Sequence, residues 1–399
     1  MFFEIINPNI KASLITCLLP FVLYLPKYGR FIFKVIGVAL VAYFFITAAY
    51  TNLIIVAYFL LYKQINKWYY LLLIVLIPIA FIYSNSLMGR LLIWKITIIQ
   101  NNKPIVGNGV NSFKNEYGNL KVAYFSNHHN TNEIQLVDES DYCFNEMIQL
   151  YYEGGLVSIL ILLFIITILM IVVWHLYKHN KTVIKPILLS LVSIFTNAQL
   201  LYNLHNFWIF IILMVNIFCI LFLYLKRNKL YILVLSFIFI CVLTFISIVN
   251  YRKQVNNNNL FYAVNTCQID VVRGTNLKDT YNDGELMYKY ASCLTNHTNI
   301  NTAIAILKSY TDKYINYKVC ILLGDFLFNK NHFSQAKYYY YLAHLCVPNR
   351  FLPLFNIFKI YEFTGDSINK NIYRQLILNK PIKIKSSQID YYLKYVKAR

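Results

Sequence analysis

Eight apolar runs decide what this chain can fold into. A helix needs about 20 apolar residues to cross a bilayer. Runs of roughly that length lie near 10–25, 31–47, 49–63, 68–84, 155–177, 184–203, 206–225 and 229–249. Because 58% of the 399 residues are hydrophobic and 14% are charged, an ordinary water-soluble domain is excluded for at least the first half. The sequence predicts a polytopic membrane protein.

Basic residues in alternate connections orient these runs. The basic clusters are Lys27, Arg30 and Lys34; Lys63 and Lys67; Lys178, Lys181 and Lys185; and Lys226, Arg227 and Lys229. No acidic residue shares these connections, so the positive-inside bias predicts that they are cytoplasmic. The loop 85–153 and everything after residue 250 are then outside, which in a bacterium is the periplasm. The formal charge of +20 follows from these connections and a basic tail, and it does not require a nucleic acid partner.

After residue 250 the apolar runs shorten into stripes with helical spacing. Phe333 to Pro348 is expected to form one helix, and Phe351 to Phe363 the next, ended by Gly365. Two helices per unit of about 34 residues is typical of tetratricopeptide repeats. Lys337 and Tyr338–Tyr341 are expected to belong to a basic, tyrosine-lined surface that binds an acceptor or a protein partner.

The predicted fold is therefore all-α, with a polytopic membrane helix bundle followed by a soluble tetratricopeptide-like α-solenoid. The expected segments are transmembrane helices in 1–84, a periplasmic loop in 85–153, further transmembrane helices in 154–250 and the periplasmic helical domain in 251–399.

Four cysteines of the C-terminal part recur at intervals of 26 or 27 residues: Cys267, Cys293, Cys320 and Cys346. Two interpretations stay open. The cysteines form disulfides in an oxidising compartment, or they occupy one position on successive helices. Neither CxxC nor a His-rich spacing occurs, so we predict no metal site and no cofactor.

Charged residues and glycines cluster in the polar loop between the apolar runs. They lie in Ser86–Trp94, Pro104–Gly109 and Phe144–Gly155. One arginine and two acids at the boundary between membrane and water usually mark a functional site.

The motifs of this loop resemble a known family. Their order is Asn7-Pro8-Asn9, Gly89 to Lys95, Pro104, Gly107-x-Gly109, Phe113, Tyr117, Tyr124-Phe125, Phe144-Asn145-Glu146, Gln149-Leu150 and Glu153-x-Gly155. This order resembles the O-antigen ligase family, in the branch that ends in tetratricopeptide repeats. The resemblance implies a GT-C-like glycosyltransferase of the bacterial inner membrane, acting in lipopolysaccharide biosynthesis or a related pathway. Its donor would be a glycan on undecaprenyl diphosphate, and its acceptor lipid A core, a protein hydroxyl or another glycan.

Displacing a diphosphate from a sugar requires a cation beside the leaving group. Arg90 suits this role because a guanidinium stays charged and binds two phosphate oxygens at once. The alternative is an arginine that snorkels to the interface. Trp94 shares the helical face of Arg90 and either stacks on a sugar or anchors the helix at the interface. Lys95 lies about 140° round the helix from Arg90 and is interpreted as a solvated or headgroup-contacting lysine.

The acceptor hydroxyl requires a base. Glu146 and Glu153 are seven residues apart, nearly on one helical face, and either carboxylate is a candidate to accept the proton. The structural alternative is solvation of a helix end. Asn145 would orient a sugar or a loop carbonyl.

The remaining site candidates have structural alternatives as well. Gly107 and Gly109 would approach a phosphate or form a tight turn with close backbone contact. Tyr124 would cover the sugar of the carrier or pack the loop. The hydrophilic segment 120–142, which contains two histidines, is interpreted as a solvated excursion, and His205 as an ordinary turn residue.

Two departures from the family pattern keep three hypotheses open. Thr47–Asn52 lacks the expected arginine, and the chain begins at a motif that further helices precede in the family, so we expect an N-terminal truncation. Phe144 stands where many members have histidine, and the repeat-bearing branch shares this phenylalanine. The hypotheses are a glycan ligase, a glycan polymerase with the same donor, and an inactive membrane anchor that presents repeat helices to a protein partner.

Overall fold

A computed structural model describes residues 8–23, 85–179, 181–199, 201–225, 283–297 and 300–399. Within these ranges the regular structure is entirely helical, which agrees with the predicted all-α class. The chain divides into two compact units. The first comprises 1–87, 103–108 and 142–250, and the second comprises 88–102, 109–141 and 251–399. Residues of the predicted 85–153 segment therefore occur in both units, and each unit is described by itself.

The helices of the described ranges are α1 (Pro8–Leu23), α2 (Asn85–Ile99), α3 (Ser112–Phe125), α4 (Thr131–Leu136), α5 (Glu146–His179), α6 (Lys181–Ala198), α7 (Phe207–Leu225), α8 (Gly284–His297), α9 (Ile300–Thr311), α10 (Tyr317–Asn329), α11 (Phe333–Cys346), α12 (Leu352–Thr364), α13 (Ser367–Leu378) and α14 (Ser387–Ala398). A 3₁₀ turn, Asn203–His205, connects α6 to α7.

Three helices of the first unit, α5, α6 and α7, are long and apolar enough to cross a membrane. The apolar side chains that α5 exposes are Leu156, Val157, Leu160, Ile161, Leu163, Phe164, Ile165, Ile168, Met170, Ile171 and Trp174. So large an apolar surface is not tolerated in water but is normal against lipid. The three helices match the runs predicted at 155–177, 184–203 and 206–225. The predicted runs at 31–47, 49–63, 68–84 and 229–249 lie outside the described residues.

Polar side chains join the helices inside the first unit. Asn197 of α6 donates from Nδ2 to Thr16 Oγ1 of α1, at 3.3 Å. Asn216 of α7 donates from Nδ2 to Ser190 Oγ of α6, at 2.9 Å. All four side chains are buried. Small and amide side chains of this kind let apolar helices approach closely and hydrogen-bond to one another.

The second unit contains the amphipathic helices predicted after residue 250. Helix α11 begins at Phe333, as expected, and α12 ends at Gly365, which has the left-handed φ of 73° typical of a helix C-cap. Consecutive helices from α8 to α14 pack against each other, and α8 also contacts α10. Leu307, Val319 and Ala336 are fully buried in their common core. The assignment of these helices to tetratricopeptide repeats stays a prediction.

The interpretation of segment 120–142 as a solvated excursion is wrong for its first part, because α3 packs on the C-terminal helices. Asn119 Oδ1 accepts a hydrogen bond from the Ile315 N–H at 2.6 Å, and its Nδ2 donates to the Lys313 carbonyl at 2.7 Å. Gly118 lies so close that a Cβ there would be 1.7 Å from the Ile315 oxygen. The rings of Tyr124 and Phe125 are buried, so the apolar residues of this hydrophilic stretch belong to a packed core.

The described cysteines of the C-terminal part differ in oxidation state, and Cys267 lies outside the described residues. Cys293 is disulfide-bonded, whereas Cys320 and Cys346 are free, buried thiols of α10 and α11. A 26-residue interval therefore does not by itself indicate a bond.

Candidate functional site

A break in α5 is the first feature of the site. Gly155 adopts φ 68° and ψ −170°, which interrupts the helix between its short first segment and its long apolar segment. The N–H groups freed after the break are not left unsatisfied. Leu156 N–H donates to the Pro104 carbonyl at 2.9 Å, and Val157 N–H donates to the Ile105 carbonyl at 3.2 Å.

The loop 104–108 also binds the segment before the break. Asn108 donates from its backbone N–H and from Nδ2 to the Tyr152 carbonyl, at 3.0 and 3.1 Å. Gly107, with φ 82°, lies against the backbone of Glu153, and a Cβ there would be 2.3 Å from the Glu153 oxygen. The predicted tight turn with close backbone contact is confirmed at Gly107, and its partner is the helix break. Gly109 has φ 104°, and a Cβ there would have no heavy atom within 4 Å.

Glu146, at the first turn of α5, contacts the 3₁₀ turn that follows α6. Its Oε1 accepts a hydrogen bond from the Leu204 N–H at 2.8 Å. Both carboxylate oxygens are 3.3 Å from His205 Nδ1. The side chains are 11% and 31% exposed for Glu146 and His205 respectively, so the pair is shielded while the imidazole remains accessible.

Gln149 fixes the tautomer of His205. Its Oε1 accepts a hydrogen bond from the Cys143 N–H at 3.2 Å, which assigns the amide orientation. Nε2 then donates toward Glu153 Oε1 at 3.1 Å and toward His205 Nε2 at 3.2 Å. His205 must therefore have a lone pair on Nε2 and its proton on Nδ1, facing the Glu146 carboxylate.

His205 is a residue of this candidate site to which the sequence interpretation gave no role beyond an ordinary turn. It is 59 residues from Glu146, and no local spacing connects the two. Tyr142 lies edge-on to the imidazole, with ring centroids 5.0 Å apart, and its other neighbour is Tyr202, on which it stacks at 4.3 Å. The turn therefore presents an oriented imidazole beside aromatic side chains.

Asn145 takes a structural position at the start of α5. Its Oδ1 accepts hydrogen bonds from the N–H groups of Met147 and Ile148, as an N-cap does. Its Nδ2 donates to the Gln199 carbonyl at 3.1 Å. Of the two predicted roles, orienting a loop carbonyl is the one that these contacts describe.

The other candidate residues belong to the second unit. Arg90 and Trp94 are half-buried on α2, four residues apart and thus on one face. Lys95 is not merely solvated, because its Nζ lies 2.6 Å from Glu133 Oε1. The hydrogen bond to Glu133 raises the pKa of Lys95 above its usual value.

Tyr124 is fully buried. Its hydroxyl donates to Glu133 Oε2 at 2.8 Å, and its ring stacks on His128 with centroids 4.2 Å apart. These contacts correspond to the packing alternative for this tyrosine.

Comparison of the chain with protein-family models, curated proteins and solved structures finds no match. In the described ranges, no group of three or more His, Cys, Asp or Glu side chains is arranged to hold a metal ion. The site must therefore be interpreted from its own geometry: an oriented carboxylate–imidazole pair beside a broken apolar helix.

Proposed function

We propose that this chain is an O-antigen ligase-type glycosyltransferase, which moves a glycan from undecaprenyl diphosphate to an acceptor hydroxyl at the outer face of a bacterial inner membrane. The observation that carries the proposal is the Glu146–His205 pair at one end of an apolar helix long enough to span a membrane. A hydroxyl is a weak nucleophile and needs a base beside it. An imidazole held by a carboxylate provides one in the tautomer that the reaction requires.

The proton transfer follows from the hydrogen bonds of the pair. The acceptor hydroxyl replaces the Gln149 N–H at His205 Nε2 and gives its proton to the Nε2 lone pair. Glu146 stabilises the resulting imidazolium through Nδ1–H. The acceptor oxygen forms a bond to the sugar C1, and the C1–O bond to the diphosphate breaks with its electron pair leaving on the diphosphate. Glu153, hydrogen-bonded to Gln149, holds the amide in the orientation that this step starts from.

The placement of basic residues supports the proposed compartment. Lys178, Lys181 and Lys185 lie where α5 passes into α6, whereas the Glu146–His205 pair joins the opposite ends of these helices. The positive-inside bias places the lysines in the cytoplasm and the pair outside. The disulfide at Cys293 is consistent with an oxidising compartment for the C-terminal part.

Engineered cysteines test this topology. We expect Ser334→Cys in α11 to react with a membrane-impermeant maleimide in cells whose outer membrane alone is opened, and Thr182→Cys to react only after the inner membrane is lysed. Both positions are exposed, whereas Cys320 and Cys346 are buried and would report poorly. The parent chain, which has no engineered cysteine, is the control for labelling of the native cysteines. The reverse order of labelling would contradict the topology.

We propose that Arg90 binds the diphosphate. We expect Arg90→Lys to lower glycan transfer about a hundredfold, because lysine keeps the charge but loses the two-pronged contact with phosphate oxygens. The measurement is transfer of a radiolabelled glycan from undecaprenyl diphosphate in membranes with matched protein levels. Lys95→Gln, which alters the pair with Glu133, is the control and should change transfer little. Unchanged transfer by Arg90→Lys would leave Arg90 as an interfacial anchor.

A polymerase differs from this ligase only in its acceptor, so the same residues serve both alternatives. The anchor hypothesis has one observation in its favour: Tyr338 and Tyr341 of α11 are exposed, 57% and 45%. Tyr340, from the same run, is instead buried and donates to Asp325. The tyrosine-lined surface is therefore limited to part of the predicted stretch. Activity with intact dependence on His205 would exclude the anchor hypothesis.

A further inference from the structure

The second unit contains a cavity of about 440 Å³, which lies within the volume range of small-molecule sites, about 300–1,000 Å³. Its wall is formed by α3, by residues 139–141, by the start of α8, and by the turn that leads into α10. The Gly118 and Asn119 contacts described above hold α3 against that turn. The cavity is therefore framed by backbone elements that are fixed in position.

The lysines that line this cavity are already paired. Lys114 Nζ is 2.8 Å from Asp283 Oδ2 and 3.8 Å from Asp141 Oδ2. Lys318 Nζ is 2.6 Å from Glu285 Oε2. An anionic ligand would have to break these pairs and would face the carboxylates that they release.

The third lysine of the lining, Lys121, and the aspartate at the start of α8, Asp283, also have hydrogen-bond partners. Lys121 is buried, and its Nζ donates to the Asp138 carbonyl at 3.2 Å. Burial raises the pKa of Asp283, but Lys114 and the N–H groups of Leu286 and Glu285 lower it more, so this carboxylate is ionised and its charge is compensated. A cationic ligand therefore finds no uncompensated carboxylate at Asp283, and burial raises the pKa of the Glu139 carboxyl, which disfavours its charged form.

The lining also offers neutral hydrogen-bonding groups and three tyrosine rings, of which Tyr117 and Tyr310 are buried and Tyr317 is partly exposed. The hydroxyls of Tyr310 and Tyr317 both donate and accept, and burial raises the pKa of both phenols, so they stay uncharged. Tyr317 is half-buried, which leaves its ring as a surface on which an apolar face can pack. Glu139 and Asn316 complete a polar wall.

From this lining we infer that the cavity binds a neutral, hydroxyl-rich ligand, namely a saccharide. Hydroxyl groups both donate and accept, so they can bind carboxylates, amides and phenols without disturbing the lysine pairs. The C–H face of a sugar ring is apolar and matches the Tyr317 ring. The inference does not depend on the proposed transfer reaction, because a chain without transferase activity would still bind a sugar here.

A glycan array tests the inference. The detergent-purified full chain is applied to immobilised neutral glycans, uronate and sulfate glycans, and amino-sugar glycans at matched density. We expect retention of neutral glycans above the charged ones. Tyr317→Leu, which keeps an apolar side chain but removes the ring, should lower the signal at least tenfold, and Tyr317→Phe should retain most of it. Tyr338→Leu, at an exposed tyrosine outside the cavity, should have no effect.

Several outcomes would overturn the inference: no retained glycan, a preference for charged glycans, or neutral binding that survives Tyr317→Leu. A thermal melt of each variant checks folding. If Tyr317→Leu does not fold, Glu139→Gln is used instead, and it should lower the array signal by the same factor. His205→Ala separates this site from the proposed function. It should lower transfer about a thousandfold and leave retention on the array unchanged.

Discussion

Replacing His205 by alanine is expected to lower glycan transfer by about a thousandfold, within the range of about 10²–10⁴ that a positioned general base contributes. The hydrogen bonds to Glu146 and Gln149 orient the imidazole so that its Nε2 carries the lone pair. Without it the acceptor hydroxyl would lose its proton only to water. The measurement is the initial rate of transfer from radiolabelled undecaprenyl-diphosphate glycan at matched protein levels.

A matched control and a partner variant sharpen this test. His332→Ala removes an exposed imidazole of the second unit and should leave the rate unchanged. Glu146→Gln keeps an oxygen for the Leu204 N–H but loses the charge that stabilises the imidazolium, so we expect an intermediate loss of about tenfold to a hundredfold. The double variant should be no slower than His205→Ala alone, because residues that act as a unit are not additive. A transfer rate in His205→Ala equal to that of the parent would exclude this base.

The parts of the fold that follow from local sequence were predicted well. Helix α11 begins where the apolar stripe begins, and α12 ends at Gly365, because periodicity and a left-handed cap are encoded within a few residues. The membrane-spanning helices α5 and α7 were equally predictable from the sequence, since length and composition alone decide whether a helix can cross a bilayer.

The site was predicted less well because its contacts join distant residues. Glu146 is a candidate because it lies seven residues from Glu153, but its partner His205 follows a different helix and has no motif around it. Asn119 and Ile315 are separated by 196 residues, and nothing near either residue indicates the other. Tyr124 had two interpretations, a contact with the sugar of the carrier or packing of the loop, and only the structure shows that its hydroxyl contacts Glu133 and its ring stacks on His128.

Replacing Gly155 or Gly107 by alanine is expected to prevent the first unit from forming its helix break. A Cβ at Gly155 would be 2.1 Å from the Ile105 oxygen, and one at Gly107 would be 2.3 Å from the Glu153 oxygen. Both neighbours are backbone atoms, so no side chain can rotate away. Both residues also have φ values, 68° and 82°, that an alanine adopts only with strain. Overpacking and strain of this kind cost about 1–3 kcal/mol each, so we expect a loss of about 2–6 kcal/mol.

Two other glycines separate these contributions. Gly109→Ala has the positive φ without a contact, and should show the strain alone, about 1–3 kcal/mol. Gly89→Ala, where a Cβ would meet its nearest atom at an ordinary 3.7 Å, should leave stability nearly unchanged. Monodisperse yield in detergent and the midpoint of thermal unfolding measure both effects. If Gly155→Ala and Gly107→Ala melt like Gly89→Ala, the loop 104–108 does not lie in the break of α5, and the backbone contacts that build the site are absent.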